Sequence, residues 1–296
     1  MKYVLAGASG FLGKALARDL RSDGHQVVRL VRRTPTSADE VRWDPARGDL
    51  DPAALGDPDV LVNLAGANIG RPWTPTYRRI LRESRVSTTS TLAAVATQLE
   101  RRPVLITQSG VGGYGLDSGD RVLTEDSELG EGFLADVVRL WEGALEPARA
   151  AGSRVAALRT GFVLDRKAPS FQLLSLPFRL GLGGRLGSGT QYFPVVSLTD
   201  WLRAVRFVAE HGTLSGPVNV TLPVPTTNEE FTQSLATALH RPAFLPVPAF
   251  LMKVALGELR WELLGSKRVL STRLQSHDFT FHHPTTASAL SAALSS

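Results

Sequence analysis

The 296-residue chain contains no cysteine, which excludes disulfide bonds, thiolate metal sites and a cysteine nucleophile. Its six histidines do not cluster with carboxylates as metal ligands do, so we expect no metal site. No hydrophobic run approaches the ~18 residues of a membrane span, and glycine breaks the N-terminal apolar run too early for a signal peptide. These absences predict a cytoplasmic globular protein with no membrane partner.

The charge balance is weakly basic, with 33 Lys and Arg against 28 Asp and Glu and a formal net charge of +5. Such a balance can indicate nucleic-acid binding, but here the arginines lie among acidic residues and hardly alternate with aromatic ones. We therefore expect no nucleic-acid partner. Part of the positive charge is expected to serve an anionic cofactor.

A glycine-rich turn follows the first apolar strand, residues 3–6, and leads into a helix-forming segment. Glycines at three positions permit a sharp turn, the approach of a pyrophosphate to the backbone, and close packing of helix on strand. The helix N-terminus then faces the anion. The pattern predicts a dinucleotide site whose cofactor-binding residues are Gly7, Ser9, Gly10, Phe11, Leu12 and Gly13. The alternative is an ordinary strand-to-helix turn.

The second strand, residues 26–31, ends in Arg32 and Arg33, where NAD-binding chains usually carry an acidic residue for the ribose hydroxyls. No acidic residue lies between Asp23 and Asp39. Because basic side chains suit a 2′-phosphate, we predict NADP(H) as the cofactor, with Arg32 and Arg33 as its ligands. The alternative is that both arginines are solvated loop charges.

Strand and helix patterns alternate up to about residue 164, which predicts an α/β fold with a Rossmann-like doubly wound parallel sheet. Further strands are expected at 60–64, 104–107 and 155–159, and helices at 12–21, 76–99 and 133–150. We assign residues 1–165 to an NADP-binding Rossmann domain, to which 190–222 return. A smaller mixed C-terminal substrate domain takes 166–189 and 223–296, with a capped helix from Thr227 that stops before Pro242 and a second helix at 249–264.

Several further motifs accompany the glycine turn: Asn63-Leu64-Ala65-Gly66, Ser84-Arg85, the segment 109–115, Trp141-Glu142, Arg159-Thr160-Gly161 and the glycine-containing run 177–184. With these motifs the chain resembles the extended and atypical short-chain dehydrogenase/reductases. Within them it is similar to the sugar-nucleotide-epimerase-like "epimerase family" proteins that have a C-terminal domain of unknown function. The resemblance covers nearly the whole chain.

The resemblance implies further cofactor contacts. The segment after the third strand is expected beside the adenosine ribose or diphosphate, and a family arginine on the following helix is expected to touch the cofactor. A valine is expected near the nicotinamide half of the cofactor, and a tryptophan is expected at the border of the adenine. These residues are Leu64, Ala65, Gly66, Arg85, Val163 and Trp43. The alternatives are a helix-surface arginine, a core valine and a buried tryptophan.

The usual catalytic pair of short-chain dehydrogenases, a Tyr with a Lys four residues later, is missing from this chain. What remains is Ser109, which matches the family's serine and can hydrogen-bond a substrate oxygen, and Tyr114, which can donate a proton. We predict both as catalytic residues. For Tyr114 the alternative is packing over the cofactor or bonding within a turn, since no lysine is near it to lower its pKa.

Two functions are consistent with these features. The first is an NADP(H)-dependent oxidoreductase or epimerase that acts on a small polar, sugar-like molecule; a nucleotide sugar is doubtful because residues 191–196 contain no arginine to hold a diphosphate. The second is a catalytically degenerate NADP(H)-binding sensor or interaction protein. The sequence does not distinguish a monomer from a homodimer.

Overall fold

The central sheet contains seven strands, all of them parallel. The computed structural model describes residues 1–295. In chain order the strands are β1 (Lys2–Ala6), β2 (Gln26–Val31), β3 (Glu40–Arg42), β4 (Val60–Asn63), β5 (Val104–Gly110), β6 (Val122–Leu123), β7 (Val155–Thr160), β8 (Phe162–Leu164), β9 (Val195–Ser197), β10 (Gly216–Val220) and β11 (Arg268–Val269). The order in the sheet, β10-β7-β5-β4-β1-β2-β3, confirms the predicted Rossmann-like α/β class.

Helices connect and flank these strands. They are α1 (Phe11–Ser22), α2 (Pro75–Ala96), α3 (Phe133–Gly143), α4 (Glu146–Ala150), α5 (Pro169–Arg179), α6 (Leu198–Glu210), α7 (Asn228–Leu239), α8 (Ala249–Leu256), α9 (Trp261–Leu264), α10 (Thr272–Ser276) and α11 (Thr286–Ser295). Among residues 1–295, no helix combines the length and the apolar character that crossing a membrane requires.

The sheet has a hydrophobic core on each face, and the middle strands β4 and β7 are buried at every position. This is why they read as continuous apolar runs rather than as alternating ones. One face packs against α1 and α6, through side chains such as Leu16 and Trp201. The opposite face packs against α2 and α4, through side chains such as Leu92 and Ala148.

The strand order reverses between β1 and β4, because the strands that follow β1 are added on one side of it and the later strands on the other. We call this place the reversal point. The chain runs outward from β1 through β2 to β3, then returns to the other side of β1 to form β4. In open α/β sheets the crevice beyond the carboxyl ends of the strands at such a reversal is where ligands bind. Here that crevice lies between the turn after β1 and the segment that follows β4.

Two long predicted helices are interrupted in the structure. The helix predicted at 133–150 divides into α3 and α4, because Pro147 has no N–H to donate to the Gly143 carbonyl. The helix predicted at 249–264 divides into α8, a 3₁₀ turn (Gly257–Arg260) and α9, because Gly257 takes a positive φ of 55°. The capped helix is confirmed as α7, which ends at Leu239, with His240 as its C-cap, before Pro242.

A third core lies outside the sheet. It joins α5, α7 and α11 through large side chains such as Phe171, Phe231 and Leu290, and it also includes Val195 of β9 and Phe193 just before that strand. The short parallel pairs β8–β9 and β6–β11 connect this part of the chain to segments that leave the central sheet. The division into domains at the boundaries given above stays a prediction.

Candidate functional site

The glycine turn after β1 lies directly against the segment after β4. Gly7 has φ +80°, and a Cβ built on it would lie 2.6 Å from the carbonyl carbon of Leu64. A Cβ on Gly13 would overlap the Gly7 carbonyl oxygen. These two glycines therefore allow backbone to meet backbone at the reversal point, where any larger residue would separate the segments.

Helix α1 begins at this turn without a side-chain cap. Its N-cap residue is Gly10, whose own N–H donates to the Gly7 carbonyl at 3.0 Å and closes the turn. Ser9 is exposed, and Phe11 and Leu12 are half-buried in the first turn of the helix. The first amides of a helix have no intrahelical acceptors, so an uncapped start offers donors and a positive dipole end to an anion.

The two arginines after β2 have different surroundings. Arg33 donates two hydrogen bonds to Glu40, of 2.7 and 2.9 Å, and these bonds lower the pKa of that buried carboxyl to about 2. Arg33 is therefore already paired. Arg32 is exposed, and within residues 1–295 its side chain makes no hydrogen bond or ion pair, so it is free to meet a phosphate.

Arg85 on α2 lies over the segment that follows β4. A Cβ on Gly66 would be 3.4 Å from the Arg85 guanidinium carbon. The guanidinium donates to the carbonyls of Leu81 and Ala67 and lies 5.1 Å from the ring centroid of Trp141. Burial lowers the pKa of Arg85 to about 10, and no carboxylate of residues 1–295 pairs with it. A half-buried cation without a counter-ion is suited to an anionic ligand.

The neighbouring backbone is ordered by buried side chains. Asn63 donates to the hydroxyls of Thr88 and Thr89 and accepts from the Ala65 N–H at 3.0 Å, while the Leu64 N–H donates to the Ala6 carbonyl. Leu64, Ala65 and Gly66 are thus held at the reversal point, and their contact with a cofactor stays a prediction.

Trp43 and Val163 are both packed against hydrophobic cores. Trp43 is 4% exposed and belongs to the core on the α2 face. Its backbone N–H donates to the carbonyl of Val31, the residue before Arg32. Val163 pairs with Val196 between β8 and β9 and is half-buried. These positions favour the buried tryptophan and the core valine, and contact of either with a cofactor stays a prediction.

Ser109, at the end of β5, belongs to a buried ionic network. Its hydroxyl donates to Glu142 Oε1 at 2.8 Å, and Arg159 donates to both oxygens of the same carboxylate, at 2.9 and 2.8 Å. The Arg159 side chain is 6% exposed and that of Glu142 is 15% exposed. The pair therefore fixes the serine hydroxyl at the carboxyl edge of the sheet.

Tyr114 lies deeper in the same network. Its hydroxyl is within hydrogen-bond distance of Arg159 Nη1, Asn219 Oδ1 and the Thr124 carbonyl, at 3.1, 2.7 and 2.9 Å. The residue is 1% exposed, and burial raises the pKa of its phenol. This geometry favours the alternative given above, in which Tyr114 bonds within the interior; its catalytic role stays a prediction.

Residues far apart in sequence complete this edge of the sheet. A Cβ on Gly112 would lie 3.2 Å from Glu262 Oε1, so α9, which contains Glu262, packs onto the turn after β5. Lys267, 2% exposed, donates to the Trp261 carbonyl at 3.1 Å and forms an ion pair of 3.4 Å with Glu262. The roles of four residues in these contacts were not predicted: Glu142, Arg159, Glu262 and Lys267. The motifs Trp141-Glu142 and Arg159-Thr160-Gly161 were the available signals for the first two.

Comparisons with known proteins agree with this architecture. The model of the NAD dependent epimerase/dehydratase family matches residues 3–132, and that of a domain of unknown function (DUF1731) matches residues 247–293. An epimerase family protein of Mycobacterium leprae is 43% identical over 98% of this chain and 94% of its own length. The crystal structure of a human epimerase family protein with NADPH is 31% identical, covers 100% of this chain and 99% of its own, and has a TM-score of 0.89.

The fold also extends to more distant proteins. A UDP-glucose 4-epimerase of Thermotoga maritima, determined with UDP-glucose, has a TM-score of 0.79 at 15% identity, covering 100% of this chain and 98% of its own. At that identity the likeness shows the fold alone.

Proposed function

The chain belongs to the epimerase family of proteins, and from that premise we propose that it is an NADP(H)-dependent oxidoreductase or epimerase acting on a small polar, sugar-like molecule. The observation that carries the cofactor assignment is the site at the reversal point. There a backbone cradle that tolerates no Cβ at Gly7 or Gly13 lies near Arg32 and Arg85, two cations that have no counter-ion among residues 1–295.

The residues present fit a dinucleotide phosphate. The uncapped start of α1 offers amides to a pyrophosphate, and Arg32 is an exposed cation at the end of β2, where a 2′-phosphate distinguishes NADP from NAD. The human relative whose structure contains NADPH supports the same choice. Arg33 contributes indirectly, since its guanidinium compensates the Glu40 carboxylate charge, which would otherwise repel the phosphate.

The proposed chemistry uses Ser109 as the residue that contacts the reacting oxygen. The nicotinamide, when bound, supplies or accepts the hydride. Ser109 turns its hydroxyl from Glu142 toward the substrate oxygen, which it orients and polarises. Glu142 and Arg159 act as positioning residues. Arg159 holds the Glu142 carboxylate in place through two hydrogen bonds, and the carboxylate orients the serine hydroxyl until the substrate oxygen replaces it as acceptor.

A second candidate function is supported by the surroundings of Tyr114. Its phenol is buried and bonded within the interior, its pKa is raised, and no lysine follows it four residues later. A chain that binds cofactor without an acid of suitable pKa is suited to sensing the NADP(H) redox state. Such a sensor must bind NADP⁺ and NADPH with different affinities, because a ligand shifts a conformational equilibrium only through differential binding.

Calorimetric titration with NADP⁺, NADPH, NAD⁺ and NADH tests the cofactor proposal. We expect NADP(H) to bind more tightly than NAD(H), and Arg32→Ala to remove that preference, because the free guanidinium is lost. The matched control is Arg18→Ala, which removes an exposed arginine of α1. Equal binding of NADP(H) and NAD(H) by the unaltered protein would contradict the proposal.

Turnover separates the two candidate functions once binding is established. A panel of small aldehydes, ketones, alcohols and simple sugars is followed by NADPH absorbance for net oxidation or reduction and by proton NMR for epimerisation, with the protein at high concentration. Turnover of any compound supports the enzyme. No turnover across the panel, together with unequal affinities for NADP⁺ and NADPH, would favour the sensor.

A further inference from the structure

A cavity of about 380 Å³ lies between the glycine-rich segment after α5 and the C-terminal segment. Its volume is at the lower end of the range of small-ligand sites, about 300–1,000 Å³. The C-terminal wall falls within residues 247–293, the region that matches a domain of unknown function. The residues that the argument uses are Ser188, Gln191, Phe250, Lys253, Arg260 and Trp261.

The walls of the cavity are joined by backbone pairing. The Gly187 N–H donates to the Val247 carbonyl, and the Val247 N–H donates to the Arg185 carbonyl, each at 2.9 Å. A Cβ on Gly184 would overlap the Leu245 carbonyl, so the two segments approach as closely as backbone allows. The cavity is thus built from paired segments rather than left by a loose loop.

Gln191 is hydrogen-bonded to both walls of the cavity. It is 7% exposed, and its amide donates to the carbonyls of Leu186 at 2.8 Å and Leu263 at 3.3 Å. The Ser188 hydroxyl lies 3.4 Å from Gln191 Oε1. Polar groups are therefore fixed inside a cavity that also has aromatic walls.

The charge of the cavity is positive and uncompensated. Lys253 and Arg260 line it, no acidic residue does, and neither cation forms an ion pair within residues 1–295. The acidic residues nearest in sequence are already engaged, Glu258 with Arg78 and Glu262 with Lys267. The Arg260 guanidinium lies 4.7 Å from the ring centroid of Trp261 and donates to the Gly257 carbonyl.

The cavity adjoins the edge of the sheet that carries Ser109. Trp261 lines the cavity, and the next residue, Glu262, places its carboxylate against Gly112 in the turn that follows β5. One wall of the cavity is thereby in contact with the turn that follows β5, the strand that carries Ser109.

We propose that this cavity is the substrate site and that it selects a small carbonyl or hydroxyl compound bearing an anionic group. Lys253 and Arg260 bind the anion, and Phe250 and Trp261 pack against the body of the molecule. A carboxylate and a phosphate share this chemistry. The proposal rests on the proposed function, because it names the substrate class for the same reaction.

Binding measurements test the proposal without requiring turnover. The probes are phenylpyruvate, its uncharged methyl ester, phenyl phosphate and UDP-glucose, each titrated calorimetrically with and without saturating NADP⁺. We expect phenylpyruvate or phenyl phosphate to bind at least tenfold more tightly than the ester, as charge-assisted hydrogen bonds require. The order of the two anions distinguishes a carboxylate site from a phosphate site.

Variants identify the cavity as the place of binding. We expect the double variant Lys253→Ala/Arg260→Ala to bind the anionic probe no better than the ester, and Lys253→Arg to retain most of the difference. The matched control is Lys167→Ala, which removes an exposed lysine elsewhere in the chain. Equal binding of acid and ester, no effect of the double variant, or preferential binding of UDP-glucose would overturn the proposal.

Failure of this proposal is distinguishable from failure of the proposed function. Titrations without cofactor report on the cavity alone, and titrations with NADP⁺ and NADPH report on the site at the reversal point. A protein that binds NADPH but none of the anionic probes retains its proposed function and contradicts the cavity assignment.

Discussion

Ser109 donates a 2.8 Å hydrogen bond to Glu142, which lies 33 positions later in the chain, and Arg159 donates to both oxygens of the same carboxylate. The carboxylate therefore both compensates a buried guanidinium and fixes the serine hydroxyl. We expect the ion pair with Arg159 to affect stability and the hydrogen bond to Ser109 to affect activity. Different substitutions separate the two effects.

Glu142→Gln should lower the free energy of unfolding by about 3 kcal/mol, because it leaves the Arg159 guanidinium, 6% exposed, without its counter-ion. Urea unfolding measures the change. The matched control is Glu146→Gln, which breaks the solvent-exposed pair with Arg149 and should cost less than about 0.5 kcal/mol. Equal effects of the two substitutions would show that the buried pair does not stabilise the fold.

Ser109→Ala should lower kcat about 100-fold with the carbonyl compound found in the turnover panel, as removal of one donor to a reacting oxygen does. NADPH affinity should stay unchanged, since the serine contacts the substrate and not the cofactor in this proposal. Steady-state kinetics and calorimetry give the two numbers. A variant that keeps full kcat would remove Ser109 from the chemistry.

Gly13→Ala should destabilise the protein by about 1–3 kcal/mol, because the added methyl group overlaps the Gly7 carbonyl oxygen. NADP(H) binding should weaken as well, since relief of the overlap moves the turn that we propose as the pyrophosphate site. The control is Gly143→Ala at the end of α3, where a Cβ has nothing within 4 Å and should be neutral or slightly stabilising. Thermal unfolding with and without NADPH measures both effects.

Much of this fold could be predicted from sequence because its determinants are local. The buried strands are short β-branched runs, the turn after β1 carries its glycines at fixed spacing, and the Thr227–Glu230 cap is confirmed by bonds of 3.2 and 2.7 Å. The break before α4 was also readable, since Pro147 lacks an N–H, but the apolar periodicity on both sides outweighed that signal.

The candidate site was less predictable because its contacts are distant in sequence. Tyr114 meets Asn219, which is 105 residues away, and that contact decides whether the phenol faces solvent or the interior. Glu262 reaches Gly112 from the C-terminal segment. A motif identifies residue types at one position, whereas burial and pairing depend on which segments the fold brings together.

The pH dependence of stability should carry a signature of Tyr3. Burial raises the pKa of Tyr3 to about 12, and the residue is 0% exposed. In the unfolded chain a tyrosine titrates near 10, so between pH 10 and 12 the unfolded state loses a proton that the folded state keeps. The stability associated with Tyr3 is therefore complete below about pH 10 and is lost as the pH rises, by about 1 kcal/mol at pH 11.

Urea unfolding of Tyr3→Phe from pH 8 to 11 isolates that contribution. The substitution removes only a hydroxyl whose partner is the Met1 sulfur at 3.7 Å, so stability at pH 8 should change little. The variant should lose less stability between pH 9 and 11 than the unaltered protein. Parallel curves for the two proteins would show that Tyr3 titrates normally in the folded state.

Arg85→Gln should weaken NADP(H) binding about tenfold, because it removes a half-buried cation at the reversal point that no carboxylate in the described part of the chain pairs with. The fold should tolerate the change, since glutamine retains a donor for the Ala67 carbonyl and no ion pair is broken. Arg82→Gln, one turn earlier on the exposed face of α2, is the matched control and should leave affinity unchanged. If both variants bind NADPH like the unaltered protein, the charge of Arg85 serves another ligand or the fold itself, and the cofactor then depends on the backbone cradle and Arg32 alone.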